Sequence, residues 1–296
     1  ISVHGSNDGA VIGGTDTGSV TEDRNLTAGK IATSGQLTVT DQDAGQNHFT
    51  AQTDTATTYG HSSIDASGHW TYAADNSQLA IQQLKTGDSL TDTLSVTSAD
   101  GTQHTVTVSI HGVNDAPASA STRASARLVI EDAPTSSITG LLHGRDTDAG
   151  DTLTWSVSGN GQGTYGHLAL DTQSGRWTYQ LDNADADTNT LRAGQQGQEV
   201  FQITVTDSTG ASGTSVVRVM VIGTDDRAVI AGVDTGSVTE DTAVQSGQLK
   251  ASGQLTVSDV DTGEAQFMPI QDLAGKFGHL SLNTDGSWVY QADNSS

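Results

Sequence analysis

Apolar and polar residues alternate with a period of two along most of this chain. Gln36-Leu37-Thr38-Val39-Thr40, Leu94-Ser95-Val96 and Val106-Thr107-Val108-Ser109-Ile110 each put leucine or β-branched side chains on one face and polar groups on the other, the mark of half-buried strands. No segment carries a sustained helical stripe, and turn residues return about every 8 to 12 positions, a spacing that favours an all-β sandwich. The middle of the chain can be followed almost strand by strand. Strands are predicted at 128–130, 138–142 and 153–158, then a hairpin of 167–170 and 177–180 turned at Gln173-Ser174-Gly175, and, after an irregular stretch, 199–206 and 215–221.

This pattern is written almost three times. Tyr59-Gly60-His61 with Trp70-Thr71-Tyr72 returns as Tyr165-Gly166-His167 with Trp177-Thr178-Tyr179, and as Phe277-Gly278-His279 with Trp288-Val289-Tyr290. A period of about 110 residues is a whole domain, and seven strands in that length suit an Ig-like or cadherin-like Greek-key sandwich, repeated in an extended array. The Trp and Tyr of each hairpin, two apart, share a face and are expected to fill the core. Residues 1–9 read as the tail of a preceding repeat, because Ile1-Ser2-Val3-His4-Gly5 parallels Val108-Ser109-Ile110-His111-Gly112. Repeat 1 then occupies 10–116, repeat 2 occupies 117–227, and 228–296 is an incomplete repeat 3, since Asn294 aligns with Asn76. The third copy is expected to leave part of its core open unless a neighbouring chain supplies a strand.

Charge changes the picture more than size does. Against 35 acidic residues stand 12 basic ones, a net charge of -23, so nucleic acid and anionic membrane are excluded as partners and cations are favoured. With no cysteine, neither a disulfide frame nor a thiolate metal site is available. No apolar run approaches the roughly 20 residues that span a membrane, and the chain opens on Ile1 without a basic-then-apolar leader, as expected of a soluble piece of something longer.

The carboxylates recur in phase with the repeat. Glu22-Asp23 returns as Glu131-Asp132 and Glu240-Asp241; Asp41-Gln42-Asp43 returns as Asp146-Thr147-Asp148 and Asp259-Val260-Asp261. Asn7-Asp8, Asn114-Asp115 and Asp225-Asp226 mark the junctions, and Asp75-Asn76 and Asp182-Asn183 follow the hairpins. If the first strand runs down the sandwich and the second runs back, the Glu-Asp pair lies at the bottom of one unit and the Asp-x-Asp loop at the top of the next. The first complete junction is then predicted to gather Glu22, Asp23, Asp75, Asn76, Asn114, Asp115, Asp146 and Asp148, with Asp100 and Asp207 also in the candidate ligand set. Carboxylates at contact distance repel by about 4 kcal/mol per pair at an effective dielectric near 20. Calcium, which takes about six to eight oxygen ligands, would remove that repulsion. Asp and Asn are also ordinary turn residues, and the 12-residue EF-hand loop with its closing Glu is missing.

Together, Glu22-Asp23, the Asp-x-Asp-x-Gly loop, the Gly-x-Trp-x-Tyr hairpin and the closing Gly-x-Asn-Asp-Ala-Pro resemble the VCBS repeat and related cadherin-like domains of giant bacterial surface adhesins. In the second unit, Leu181-Asp182-Asn183 resembles the cadherin Leu-Asp-Arg-Glu motif and Val205-Thr206-Asp207 its Ala-x-Asp. The resemblance implies calcium ligands at Glu131, Asp146, Asp148, Asp182 and Asp207. It departs at the junction, where Gly112 stands for the first Asp of the cadherin Asp-x-Asn-Asp-Asn and Ala116 for the last Asn. By the same resemblance the chain is an extension module of a type I secreted, RTX-type adhesin at the bacterial cell surface, used in attachment and biofilm formation.

Catalysis finds little support. His61, His167 and His279 hold one repeated position in separate repeats and cannot share a metal; paired carboxylates could do acid and base work, but no nucleophile motif or phosphate loop accompanies them. A carbohydrate-binding or homophilic adhesion module, with host or biofilm glycans as partners, is the alternative to a non-catalytic spacer. Exposed aromatics would be its sign, and beyond the repeated set only Trp155, Phe49, Phe201 and Phe267 remain.

Overall fold

The computed structural model describes residues 1–120 and 127–295, and strands dominate it. It contains two compact units, Ile1–Ser119 with Gly144–Thr154 and Val205–Gly213, and Ala120–His143 with Trp155–Thr204 and Thr214–Ser296. The first unit therefore includes two loops of the second repeat as well as the whole first repeat. Among the described residues no helix is long and apolar enough to cross a membrane.

Repeat 1 is a two-sheet sandwich. One sheet has five strands in the spatial order Val11–Gly14, Lys30–Thr40, His69–Asp75, Gly60–Ile64 and Gln52–Ala56; the other has Thr17–Thr21, Gln103–His111 and Ser89–Thr97. Every pairing is antiparallel except one: Thr17–Thr21 runs parallel to Gln103–His111, with Thr17 opposite Thr107 and Thr21 opposite His111. The alternating residues face inward as their period requires, and Ile31, Leu37, Phe49, Trp70, Tyr72, Val96, Val106 and Ile110 form the buried core. Trp70 lies over Gly35, where a Cβ would come within 2.6 Å of the indole, and its Nε1 donates to the Thr15 carbonyl at 2.7 Å.

A carboxylate sits inside this core. Asp92, 1% exposed, accepts from Thr57 Oγ1 at 2.6 Å, Thr58 N at 2.9 Å, Tyr59 N at 2.8 Å, Tyr72 Oη at 2.9 Å and its neighbour Thr93 N at 2.9 Å. It ties the Thr-Tyr-Gly turn of one sheet to a strand of the other. Glu199 repeats the device in the second repeat, accepting from Thr164 N, Tyr165 N and Tyr179 Oη.

In repeat 2 the predicted strands appear at Arg127–Ile130, Ser137–Leu141, Thr154–Val157, Gly166–Leu170, Arg176–Leu181, Gln196–Thr206 and Ser212–Ile222. The 153–158 strand is shorter than expected because Gly159 and Asn160, both at positive φ, turn the chain into the 3-10 segment Ser158–Gly161. Part of the irregular stretch is the helix Ala186–Asn189, capped by Asp185. Arg127–Ile130 again runs parallel to the last strand.

Repeat 3 shows the five-stranded sheet, in the order Val229–Gly232, Gln248–Ser258, Ser287–Asp293, His279–Leu282 and Ile270–Ala274. Residues 235–239, which align with Thr17–Thr21, form no strand, since no counterpart of Gln103–His111 pairs with them among the described residues. Leu255, Leu282 and Trp288 accordingly line an open cavity of about 380 Å³. Residues 1–9, read from the sequence as the last strand and junction of a preceding copy, lie in no strand either; a ladder needs a partner, and among the described residues none pairs with them.

Candidate metal centre

The parallel pair at the sandwich edge builds the lower half of the site. Because Thr17–Thr21 and Gln103–His111 end side by side, the chain delivers Glu22 and the junction residues to the same place. Glu22 is fully buried; its N–H donates to the His111 carbonyl at 3.0 Å, and its Oε1 accepts from Val113 N at 2.7 Å. Asp23 takes a left-handed backbone (φ 56°) and is held by reciprocal bonds with Asn76, N to Oδ1 at 2.9 Å and Nδ2 to Oδ1 at 2.6 Å.

The upper half comes from the loops of the next repeat that belong to the same compact unit. Asp146 Oδ1 accepts from Asp148 N at 3.0 Å, which shapes the loop; Asp148 Oδ2 accepts from Asp115 N at 2.8 Å, and Asp207 Oδ2 from Asn114 Nδ2 at 2.9 Å. Asp146, Asp151 and Asp207 each offer an oxygen within 4.8 Å of the others. Asp151, absent from the expected ligands, is reached by Ser208 Oγ at 2.9 Å and Lys85 Nζ at 3.4 Å.

Glu22 Oε2, Asn114 Oδ1, Asp146 Oδ2, Asp148 Oδ1 and Asp151 Oδ2 are buried with no hydrogen-bond partner. All are acceptors. A buried acceptor left unsatisfied costs about 1 to 3 kcal/mol, more when charged, and among the described residues Lys85, paired with Asp151, is the one cation that reaches this set. Burial, with Asp115, Asp23 and Asp148 adding repulsion against the Val113 hydrogen bond, pushes the Glu22 carboxyl up to about 7. Burial and the Asp23 and Asp148 charges push Asp115 up to about 6. Asp148 is raised by burial and by Asp146, Asp151 and Asp207. An all-oxygen, acceptor-only set of this kind fits a hard divalent cation such as calcium.

The second junction repeats the arrangement within the other compact unit. Glu131, 1% exposed, accepts from Thr224 N at 2.9 Å; Asp261 Oδ2 accepts from Asp226 N at 2.8 Å and Asp259 Oδ1 from Asp261 N at 2.9 Å. Asp132 again has positive φ. Asp225, Asp261 and Glu264 offer clustered oxygens, while Glu131 Oε1 and Asp261 Oδ1 are buried without partners. Burial raises the Glu131 and Asp226 carboxyls, with neighbouring acids adding to it. At the start of the chain the upper half recurs: Asp43 Oδ2 accepts from Asp8 N at 2.8 Å, Asp41 Oδ1 from Asp43 N at 2.7 Å, and Asp100 Oδ2 from Ala10 N at 2.9 Å. Asn7 is exposed beside it.

Two expected ligands have other work. Asp75 is exposed and accepts from Ser77 N and Oγ, which lowers its pKa, and Asp182 is exposed and accepts from Ala184 N at 2.9 Å. Each closes its own turn, and Asn76 rather than Asp75 makes the contact with Asp23. Asp151 and Glu264 were missed, although both stand three residues after the second Asp of the loop, which reads Asp-x-Asp-x-Gly-Asp/Glu in both repeats.

The glycine at the junction has a steric cause. A Cβ on Gly112 would sit 2.4 Å from the Leu84 carbonyl oxygen, and one on Gly223 2.3 Å from that of Leu191. Neither position can carry an acidic ligand without moving the backbone. Gly112→Asp is therefore expected to destabilise the first repeat by about 1 to 3 kcal/mol or more instead of adding a ligand. Chemical denaturation in chelator reads the cost; a variant of unchanged stability that takes up more calcium would reject this account.

Residues 7–112 and 114–223 match the bacterial cadherin-like domain family. The chain belongs to that family. Its cadherin-like sandwiches follow one another in tandem, and solved structures share the fold. Mouse cadherin-23 EC22-24 is 13% identical with a TM-score of 0.50, over 97% of this chain and 89% of that one. The protocadherin gamma-B2 extracellular cadherin domains 3–6 are 16% identical with a TM-score of 0.51, over 96% and 65%. The protocadherin gamma-B4 extracellular domain is 16% identical with a TM-score of 0.50, over 97% and 44%. This chain thus spans less than two thirds of either protocadherin chain. A search of curated proteins by sequence finds no match.

Proposed function

We propose that these bacterial cadherin-like domains are non-catalytic extension repeats of a secreted cell-surface adhesin, stiffened by calcium at their junctions and serving attachment or biofilm formation. The observation that carries this reading is the recurrence, at both junctions, of buried acceptor oxygens with no partner. Glu22, Asn114, Asp115, Asp146, Asp148, Asp151 and Asp207 would hold calcium at the first junction, and Glu131, Asp225, Asp226, Asp259, Asp261 and Glu264 at the second. The ion would supply charge neutralisation between acidic loops that otherwise repel. Affinity is expected in the range of extracellular modules, about 10⁻⁴ to 10⁻³ M.

Small-angle scattering with calcium and with chelator tests the reading. Chelation is expected to broaden the pair-distance distribution and shorten the maximum dimension, and identical profiles would count against junctional ions. The alternative, a carbohydrate-binding or homophilic module, has less to draw on. Phe49, Phe201 and Trp155 are buried, and among the described residues Phe277 is the single aromatic in the set of exposed large apolar side chains.

A further inference from the structure

Lys85 and Arg192 are two of only 12 basic residues in this chain, and they occupy one repeated position. Each follows a buried leucine, Leu84 or Leu191, and stands just after a short helix, in the sequences Leu84-Lys85-Thr86-Gly87 and Leu191-Arg192-Ala193-Gly194. Each reaches the acidic loop of the following repeat at the same place. Lys85 Nζ lies 3.4 Å from Asp151, whose side chain is 1% exposed, and Arg192 Nε lies 3.8 Å from Glu264 and donates to the Thr262 carbonyl. Beside each ion pair a backbone bond joins the same two segments: Ala149 N donates to the Gln83 carbonyl at 3.1 Å, and Thr262 N to the Thr190 carbonyl at 3.3 Å.

From this we infer that each junction carries a metal-independent clasp, a docking surface for the next repeat made of one basic side chain and one backbone carbonyl. Three features point to it. The contact recurs with the chemistry kept and the residues changed, Lys to Arg and Asp to Glu. The Lys85–Asp151 pair sets a cation against a buried carboxylate, and removing one partner of such a pair leaves the other charge uncompensated. Neither backbone bond uses an oxygen of the acidic set. The tethered cation neutralises the loop at its outer side, so loss of calcium loosens the junction without freeing it.

The clasp shares Asp151 and Glu264 with the proposed calcium sites but needs no ion to form, and one experiment separates the two. Amide hydrogen exchange is followed on the full chain in chelator at low salt, where the Ala149 and Thr262 amides are expected to be protected in the wild type. Lys85→Ala should speed exchange at Ala149 by about tenfold and leave Thr262 alone, while Arg192→Ala does the reverse. Lys85→Arg should keep the protection, and 1 M salt, with a Debye length near 3 Å, should weaken the exposed Arg192 clasp more than the buried Lys85 one. Core amides such as Val106 report that the variants fold. Unprotected Ala149 and Thr262 in the chelated wild type, or protection indifferent to both alanine variants, would overturn the clasp. Calcium is then added: no gain in protection at Asp115 or Asp226 would sink the calcium reading and leave the clasp standing.

Discussion

Asp92→Ala is expected to destabilise the first repeat by about 3 to 5 kcal/mol, the cost of breaking a buried, fully bonded charge network. Five donors converge on this carboxylate, and alanine leaves all five without their acceptor. Burial acts to raise its pKa, but the Thr57 hydroxyl, the Tyr59 and Thr58 N–H groups and the Tyr72 hydroxyl outweigh that and hold it below the ordinary carboxylate value. The sign follows: a carboxylate depressed in the fold contributes stability above its unfolded pKa and loses it as pH falls through the folded one. Wild-type stability should therefore drop in strong acid through Asp92, and the alanine variant should lack that share of the drop. Tyr72→Phe, which removes one donor, should cost less, about 1.5 to 3 kcal/mol for one hydrogen bond to a charged group. Urea denaturation decides; an alanine variant within 1 kcal/mol of wild type would mean that the network is ornamental.

Calcium should raise the melting temperature by about 10 °C or more at pH 7.5 when it is present at about 100 times its dissociation constant, since that excess supplies roughly 2.7 kcal/mol per site. The gain should shrink as pH falls. Glu22 is raised to about 7 and Asp115 to about 6 in the metal-free fold, so the folded state holds protons that the unfolded chain has released. In chelator, the share of stability that Glu22 and Asp115 contribute is thus greatest below the ordinary carboxylate range and declines as pH rises toward 7. With calcium present the decline should disappear, and binding near pH 6.5 should release protons, which calorimetry in buffers of different ionisation enthalpy measures. Equal melting temperatures with calcium and chelator at both pH values would remove the junctional ions from the account. Glu22→Gln should flatten the chelator profile between pH 5 and 7 and weaken calcium binding at the first junction.

Strands and repeats were legible because both are periodic: Val106, Val108 and Ile110 alternate inward as written, and the Trp-x-Tyr hairpin recurs where each core needs it. Topology then carried the acidic clusters to opposite ends of each repeat, where those of successive repeats meet, because strand polarity alternates whatever the side chains are. Finer assignments depended on contacts that composition does not encode. Asp75 and Asp23 are the same residue in the sequence, yet only the structure shows that one bonds its own turn and the other Asn76. Asp92 and Glu199 were overlooked although each sits in phase with inward apolar residues, Asp92 with Leu94 and Val96, Glu199 with Phe201 and Ile203. An acid on the apolar phase of a strand is the sequence trace of such a network. Gly112 could not be understood from the chain at all, since its reason is a carbonyl 28 positions away, that of Leu84.

The parallel pairing of Thr17–Thr21 with Gln103–His111 has a mechanical meaning. A pull applied through the two ends of a repeat draws Thr17–Thr21 and Gln103–His111 in opposite directions along their shared ladder. The rungs are then sheared together, whereas an antiparallel hairpin at the same edge would be peeled one rung at a time. Force applied across a repeat would thus load all the rungs of this edge at once.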